Sequence, residues 1–429
     1  MKFNPYRPNS IASTELFKGR KEEMLIIEQS LFQTKNGNPQ HFLVEGERGL
    51  GKSSLFLMVE QQATGKIPLR NLEKVNFIVI NIELDSTQSF FEILKLIAAD
   101  FKRALSEKEK IRTLAKSVWD FLSNWEILGV RYHKIDESLI QPYEILNELV
   151  LNFENVIKLS NNEIDGILIL IDEADRPGEK ASLGELVKLL TEKLSKRGCD
   201  QVVLGMTGQP GLISKLKASH ESSSRIFSVL TLKPLSDDEN KAVVLSGLKN
   251  ANRVNKQQTT IDNDALELIS QLSEGYPHFL QEFAYKSFEK DNDYRICIED
   301  VKEGAFGQNG ALSQLRHKYF NELFFTQIGS DEYRRVLQAM AKFSDSYVNR
   351  EKINNEISIK ETTLNNALQA LKTRNIIIPN PGHQGEFRLP TKSFAAWIKA
   401  YYMLDEEPFS GVDKEINSGI EQTKYNSKY

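Results

Sequence analysis

Gly46-Glu47-Arg48-Gly49-Leu50-Gly51-Lys52-Ser53 limits what this chain can fold into more than any other stretch. It fits the spacing G-x-x-x-x-G-K-[ST], in which glycines let the backbone turn tightly and aim successive N–H groups at phosphate oxygens. Such a loop has meaning only between a strand and a helix, and both are written beside it. His41-Phe42-Leu43-Val44 reads as a short buried strand, and Ser54 to Gln62 reads as a helix. Phosphates held there would sit on a helix N-terminus, where unpaired N–H groups and the helix dipole favour negative charge. Gly46 through Ser54 are therefore nucleotide-binding candidates. Lys52 would reach the β- and γ-phosphates, and Ser53 would hold Mg²⁺.

Around this loop the first half of the chain alternates short apolar runs with amphipathic stretches. Val75–Ile82, Ile167–Ile171, Val202–Met206 and Ile226–Leu230 read as further strands, several of them continuously apolar, as parallel strands covered on both faces should be. Phe90, Leu94, Ile97, Phe101 and Leu105 recur at helical spacing, as do Ile145, Leu149, Phe153 and Val156. This predicts an α/β three-layer core, a P-loop NTPase fold, over residues 1–235. The stretch from about Ser106 to Pro142, with Trp119 and Trp125, reads as an insertion between two sheet strands.

A second signal narrows the chemistry. Five aliphatics, Ile167 to Ile171, lead into Asp172-Glu173-Ala174-Asp175. A buried strand ending in Asp172 brings that carboxylate beside the phosphate loop, where it can take hydrogen bonds from Ser53 and from water on Mg²⁺. Glu173, one residue on, can polarise an attacking water as general base.

These residues together resemble the AAA+ and STAND ATPases, especially those similar to origin-recognition initiator ATPases. The N-terminal stretch adds to the likeness: Asn4-Pro5-Tyr6-Arg7-Pro8, then Leu16-Phe17-Lys18-Gly19-Arg20-Lys21-Glu22-Glu23. The resemblance implies base-side roles for Phe17, Gly19 and Arg20, with ATP and Mg²⁺ as the ligands. It implies a sensor role for Thr207 at the end of the Val202 strand, and a phosphate-directed arginine at Arg225, acting on its own or a neighbouring subunit. Where many AAA+ proteins carry a lid arginine, this chain has Gly275-Tyr276-Pro277-His278, which looks like the STAND Gly-x-Pro motif. That departure carries over Pro277, and His278 more weakly, as lid contacts to nucleotide, and it favours a switch over a ring-forming motor.

Beyond Leu235 the strand signal fades. Ser236 and Glu239 have the spacing of a capping box, and a helical lid is expected over residues 236–325. Residues 326–403 carry helical runs over Tyr333–Ala341, Arg350–Glu356 and Glu361–Thr373, then two strands around an Asn380–Gln384 turn and a closing helix with Trp397. That is the layout of a winged helix-turn-helix, and the region resembles the C-terminal winged helix of the bacterial members. The candidate recognition helix, Lys360–Asn375, offers Lys360, Thr362, Thr363, Asn365, Asn366, Lys372 and Arg374, while the wing adds His383 and Arg388. Such groups bind phosphates and base edges, and a protein-docking role fits them equally well. A polar tail over residues 404–429 is expected to be disordered.

Composition removes several classes. The 429 residues are enough for two or three domains, and the net charge of −4 gives no global attraction to nucleic acid. Two distant cysteines and six scattered histidines provide neither a disulfide framework nor a zinc spacing, which fits a reducing cytoplasm. No apolar run approaches the ~20 residues of a membrane helix. The resulting expectation is a cytoplasmic ATPase switch whose nucleotide state sets lid and winged-helix orientation, with ATP-dependent self-association. Two alternatives stay open: a DNA-binding initiator or loader, and a non-hydrolysing nucleotide-dependent scaffold in a defence or mobile-element system.

Overall fold

The computed structural model describes residues 2–11, 15–108, 142–320, 330–343, 346–374, 376–380 and 382–402, together with 113, 118, 324 and 328. Trp119, Trp125, Asn375, Pro381 and the tail beyond 402 lie outside the described residues.

The chain forms two compact units. The core unit is Asn9–Asn250 with Gly275–His278, and the winged unit is Met1–Pro8, Ala251–Glu274 and the chain from Phe279 onward.

The core unit is built on five parallel strands, β1 (His41–Glu45), β2 (Phe77–Glu83), β3 (Gly166–Asp172), β4 (Val202–Gly208) and β5 (Phe227–Thr231), in the order β2-β3-β4-β1-β5. All five expected strands are present, each within two residues of its predicted ends. The alternation within each strand divides the core into two apolar layers. Phe77, Val79, Leu168, Leu170, Phe42 and Val44 face one way and pack with α1 (Lys21–Lys35) and α2 (Lys52–Ala63). Ile78, Ile80, Ile167, Ile169, Ile171 and Leu43 face the other way, toward α3 (Phe90–Ser106), α4 (Pro142–Leu159), α5 (Leu183–Lys196) and α6 (Leu212–Ser219). Strands buried on both faces need continuous apolar sequence, which is why Ile167 to Ile171 has no polar member.

Helix α7 (Asp237–Val254) follows the sheet, and its start is the expected capping box. The Glu239 carboxylate accepts from the Ser236 N–H at 2.9 Å, and the Ser236 hydroxyl faces the Glu239 N–H at 3.4 Å.

In the winged unit, α8 (Asn263–Ser273), α9 (Pro277–Lys290), α10 (Ile298–Phe306) and α11 (Ala311–Leu315) accompany a short parallel pair, β6 (Thr260–Ile261) and β7 (Arg295–Ile296). The N-terminal segment is tied to α9: Asn4 donates to the Tyr285 carbonyl at 3.0 Å and the Arg7 N–H to the Gln281 side chain at 2.9 Å. Then come α12 (Asp331–Ala341), α13 (Arg350–Ile357), α14 (Glu361–Thr373) and α15 (Lys392–Tyr402). The wing has three strands, where the sequence suggested two. β8 (Val348–Asn349) pairs with β10 (Glu386–Arg388), and β10 pairs with β9 (Ile378–Pro379), both antiparallel. Trp397 anchors this part, stacked on Phe394 at 5.8 Å and edge-on to Phe324 at 5.5 Å.

Candidate nucleotide site

The loop between β1 and α2 takes its shape from two glycines. Gly49 and Gly51 adopt φ of 88° and 87°, left-handed values that a side chain would strain, and Gly51 is the N-cap of α2. Glu47 and Arg48 are exposed, Leu50 is buried in the apolar layer beneath, and Ser54 is half-buried in the first turn of α2. Lys52 curls back into the loop: its ammonium donates to the carbonyls of Gly46 at 2.7 Å and Glu47 at 3.1 Å. Burial pulls the Lys52 pKa down, against the upward pull of the Glu173, Asp172 and Asp175 carboxylates.

Parallel pairing brings the ends of β1, β3 and β4 together, and the chemistry collects there. The Ser53 hydroxyl donates to Asp172 Oδ2 at 2.7 Å. Asp172 Oδ1 accepts from the Glu173 N–H at 2.8 Å and from the hydroxyl of Thr207, which is fully buried. The Ala174 N–H returns to the Thr207 carbonyl at 2.8 Å, fixing the two strand ends against each other. The structure therefore joins Lys52, Ser53, Asp172, Glu173 and Thr207 in one cluster. Ser53 and Asp172 offer hard oxygen donors, the class that suits Mg²⁺. No group of three or more His, Cys, Asp or Glu side chains placed to hold a metal ion occurs among the described residues.

Glu173 turns out of the strand with φ 53°, and its carboxylate meets Arg176 at 3.0 Å. Arg176 also lies 3.6 Å from Glu83 at the end of β2. Sequence reasoning passed over Arg176. Its spacing of three from Glu173 was the available signal.

The entry segment is a clamp. Arg20 is 6% exposed, and its guanidinium donates to the carbonyls of Lys233 at 2.5 Å and Leu50 at 3.0 Å. Its N–H donates to Glu239 at 3.1 Å. Gly19 has φ 79°, a left-handed value that a side chain would strain, and a Cβ there would stand 2.6 Å from that same Glu239 carboxylate. Phe17 and Tyr276 both pack against the apolar layer under the loop.

The Gly275–His278 stretch sits on the phosphate loop. The Tyr276 hydroxyl donates to Glu47 at 2.6 Å, and the His278 N–H approaches the Gly49 carbonyl at 3.4 Å. The Pro277 ring lies 3.7 Å from where a Cβ on Gly51 would be. The sequence motif alone assigns no role to Tyr276.

Arg225 is elsewhere. It ends the turn Glu221–Ile226 just before β5, where Phe227 pairs with His41 at the start of β1. The five-residue strand separates it from the phosphate-loop end of the sheet by about 16 Å, beyond the reach of one side chain. It is exposed there. Near it, a cavity of about 250 Å³ is lined by His41, Cys199, Val202 and Ile226, also at the end of the sheet away from the phosphate loop.

On α14, Lys360, Thr362, Asn366, Lys372 and Arg374 are exposed, while Thr363 and Asn365 are half-buried. Gln369, exposed and not anticipated, continues the face of Thr362 and Asn366 at helical spacing. His383 is exposed on the wing. Arg388 is half-buried, its guanidinium over the Tyr347 ring at 5.7 Å and 3.3 Å from the Leu389 carbonyl.

Among solved structures, the Aeropyrum pernix ORC2 protein in its ADPNP–ADP complexes shares this architecture with a TM-score of 0.55, over 92% of this chain and 96% of that one, at 14% identity. The chain shares its fold with that ORC2 protein. The ADP form of the same ORC2 protein gives a TM-score of 0.49 at 15% identity, covering 92% and 96% of the two chains. Cdc6p from Pyrobaculum aerophilum gives 0.44 at 14%, again over 92% and 96%. The assignment rests on the first of the three. No protein-family model matches the chain, and no curated protein matches it. The parallel five-stranded sheet and the C-terminal winged helix are what the observed fold has in common with the expectation from sequence. No helix among the described residues is long and apolar enough to cross a membrane.

Proposed function

We propose that this protein is an ATP-binding, ATP-hydrolysing switch. The reading is carried by the 2.7 Å bond between Ser53 and Asp172, which joins the phosphate loop to the acidic strand end. The ORC2 protein of the same fold was solved with ADPNP and ADP, which supports an adenine nucleotide as the ligand. Phosphate oxygens would take over the Lys52 ammonium from the Gly46 and Glu47 carbonyls. Ser53 and Asp172 would hold Mg²⁺, which when bound neutralises charge on the phosphates. Glu173 polarises the attacking water once its carboxylate leaves Arg176. Thr207 keeps Asp172 oriented. Phe17, Tyr276 and Pro277 provide the base-side and lid contacts. Arg225, placed away from its own loop, serves a neighbouring copy, so full turnover requires self-association. Binding of a fluorescent ATP analogue tests the reading: wild type should bind and Lys52→Ala should not. Equal binding by both would sink it.

The second reading is duplex DNA as the partner of the winged unit. The exposed face Thr362-Asn366-Gln369 favours it, because amide side chains pair with adenine edges. Lys360, Lys372 and Arg374 supply phosphate contacts, with Arg388, half-buried on the wing, beside them. Binding should weaken steeply with salt, and the Lys372→Ala, Arg374→Ala double variant should lower the salt slope by about two. No binding at low salt would leave a protein partner or a scaffold role.

A further inference from the structure

The sheet of the core unit ends differently on its two sides. Along β2 the helices supply partners: the Asn81 N–H, which points away from the sheet, donates to Asp100 Oδ2 of α3 at 2.7 Å, and the Asn81 side chain donates to Glu60 of α2 at 2.9 Å. β5, at the opposite edge, has no such partner. The Leu232 N–H donates inward to the Glu45 carbonyl at 2.8 Å, and backbone direction alternates along a strand. Ser228 and Leu230 share that inward direction. The N–H and C=O groups of Phe227, Val229 and Thr231 therefore turn outward, where no hydrogen bond meets them among the described residues.

An open edge invites pairing with another chain, and folded proteins usually blunt it with a charge, a proline or a bulge inside the strand. Phe227-Ser228-Val229-Leu230-Thr231 contains none of these, and its register with β1 is unbroken. Val229 is 44% exposed, and Ser228 and Thr231 are exposed with it, so side chains on both faces of the strand lack cover. Charge stands only at its ends. Arg225 before the strand and Lys233 after it are exposed, and neither is ion-paired among the described residues; Glu221 and Asp237, four positions further out, do not pair with them. At strand spacing the two cations bracket the edge about 26 Å apart. A second copy does not suit this pattern. β5 against β5, antiparallel about Val229, would set Arg225 of each copy beside Lys233 of the other, and like charges directly opposite destabilise a strand pair.

We infer that the β5 edge is a docking site for an extended, acidic peptide segment of a partner protein, which adds to the sheet as one more strand. The outward backbone groups of Phe227, Val229 and Thr231 supply the ladder, as main-chain bonds do wherever a peptide joins a sheet edge. Carboxylates at the two ends of the segment meet Arg225 and Lys233, and β-branched side chains between them cover Val229. The inference goes beyond the nucleotide reading and does not depend on it, except that Arg225 cannot serve the segment and a neighbouring copy at once.

A fluorescent peptide with glutamates at both ends of Thr-Val-Thr-Val-Thr tests this on the full chain, beside a twin whose glutamates are lysines. Wild type should bind the glutamate peptide about tenfold more tightly, because the charge pairs at both ends change sign between the two. Arg225→Glu combined with Lys233→Glu should reverse that preference. Val229→Pro removes an outward N–H that the native ladder does not use, a change sheet edges tolerate, and should weaken binding about tenfold. Melting curves verify folding, and the charge reversal carries the test if the proline variant unfolds. Hydrogen–deuterium exchange resolved to single residues reads the added strand directly. Bound peptide should slow the Val229 and Thr231 amides about tenfold or more, while Ser228 and Leu230, already bonded inward, change little. No binding of the glutamate peptide, no preference between the twins, or unchanged exchange at Val229 overturns the proposal. Self-association of wild type that is lost in Val229→Pro would give the edge to a second copy. Duplex DNA binding that is lost on charge reversal but kept in Val229→Pro would give Arg225 and Lys233 to nucleic acid. Either result also overturns it.

Discussion

Arg20 offers a quantitative test of how the core unit keeps its phosphate loop in shape. Arg20→Met retains most of the aliphatic stem and removes a guanidinium that is 6% exposed. Two hydrogen bonds disappear, to Lys233 O at 2.5 Å and Leu50 O at 3.0 Å, and the Glu23 contact at 3.4 Å goes with them. Hydrogen bonds from a charged donor contribute about 1.5–3 kcal/mol each. The Glu23 pair is part-exposed and adds little. Desolvation already lowers the Arg20 pKa, so part of the gain is offset by the cost of burying the charge. The expected loss is about 3–4 kcal/mol, a fall in Tm of roughly 10 °C for a unit of this size. Because Leu50 O belongs to the phosphate loop, ATP affinity should drop as well, by about tenfold if 1.4 kcal/mol of the loss falls on the bound loop. Thermal melts with and without nucleotide measure both effects. A melt within about 2 °C of wild type would refute the clamp, since so small a change corresponds to under about 1 kcal/mol.

Thr207→Val keeps the shape and removes a hydroxyl that bonds Asp172, so turnover should fall while the fold persists; unchanged kcat would show that Asp172 is oriented without it. Burial pushes the Glu274 carboxyl from 4.5 up to about 7, against the pull of the Ser393 and Lys392 N–H groups. Between those values the folded chain holds a proton that the unfolded chain releases. The group therefore makes unfolding free energy fall as pH rises through that window, and the pH dependence of Tm should be flatter in Glu274→Gln. His41 is the opposite case: burial lowers its pKa from 6.5 to about 4, so stability should decline as pH falls from 6.5 toward 4, and His41→Asn should remove that slope. Mixing Arg225→Ala with Glu173→Gln should restore part of the turnover each lacks, because one subunit's arginine would meet the other's intact base. No recovery in mixed assemblies would rule out action between copies.

What could be read from the sequence was whatever is local. The loop from Gly46 to Ser53 needs a strand before it and a helix after it, and runs such as Ile167 to Ile171 can only be buried, so sheet and site were legible together. Helix α14 is bounded as its periodicity implied. The third wing strand was not legible, because two residues, Val348 and Asn349, are too short for a period and acquire strand character only by pairing with β10. The Arg20 clamp, the Tyr276–Glu47 bond and the Glu274 cap join residues 30 to 229 positions apart. No pattern within one element encodes them. Arg388, expected as a positive group of the wing, is half-buried there, and its contacts with the Tyr347 ring and the carbonyls of Leu389 and Pro390 could not be read from sequence.

The central claim is that the cluster of Lys52, Ser53, Asp172 and Glu173 binds and hydrolyses ATP. Phosphate release with Mg²⁺ should be measured for wild type and Glu173→Gln, alongside ATP binding by both. The expected result is slow turnover by wild type, loss of ~10²-fold or more in Glu173→Gln, and ATP binding by both. Equal phosphate release by the two proteins would contradict it.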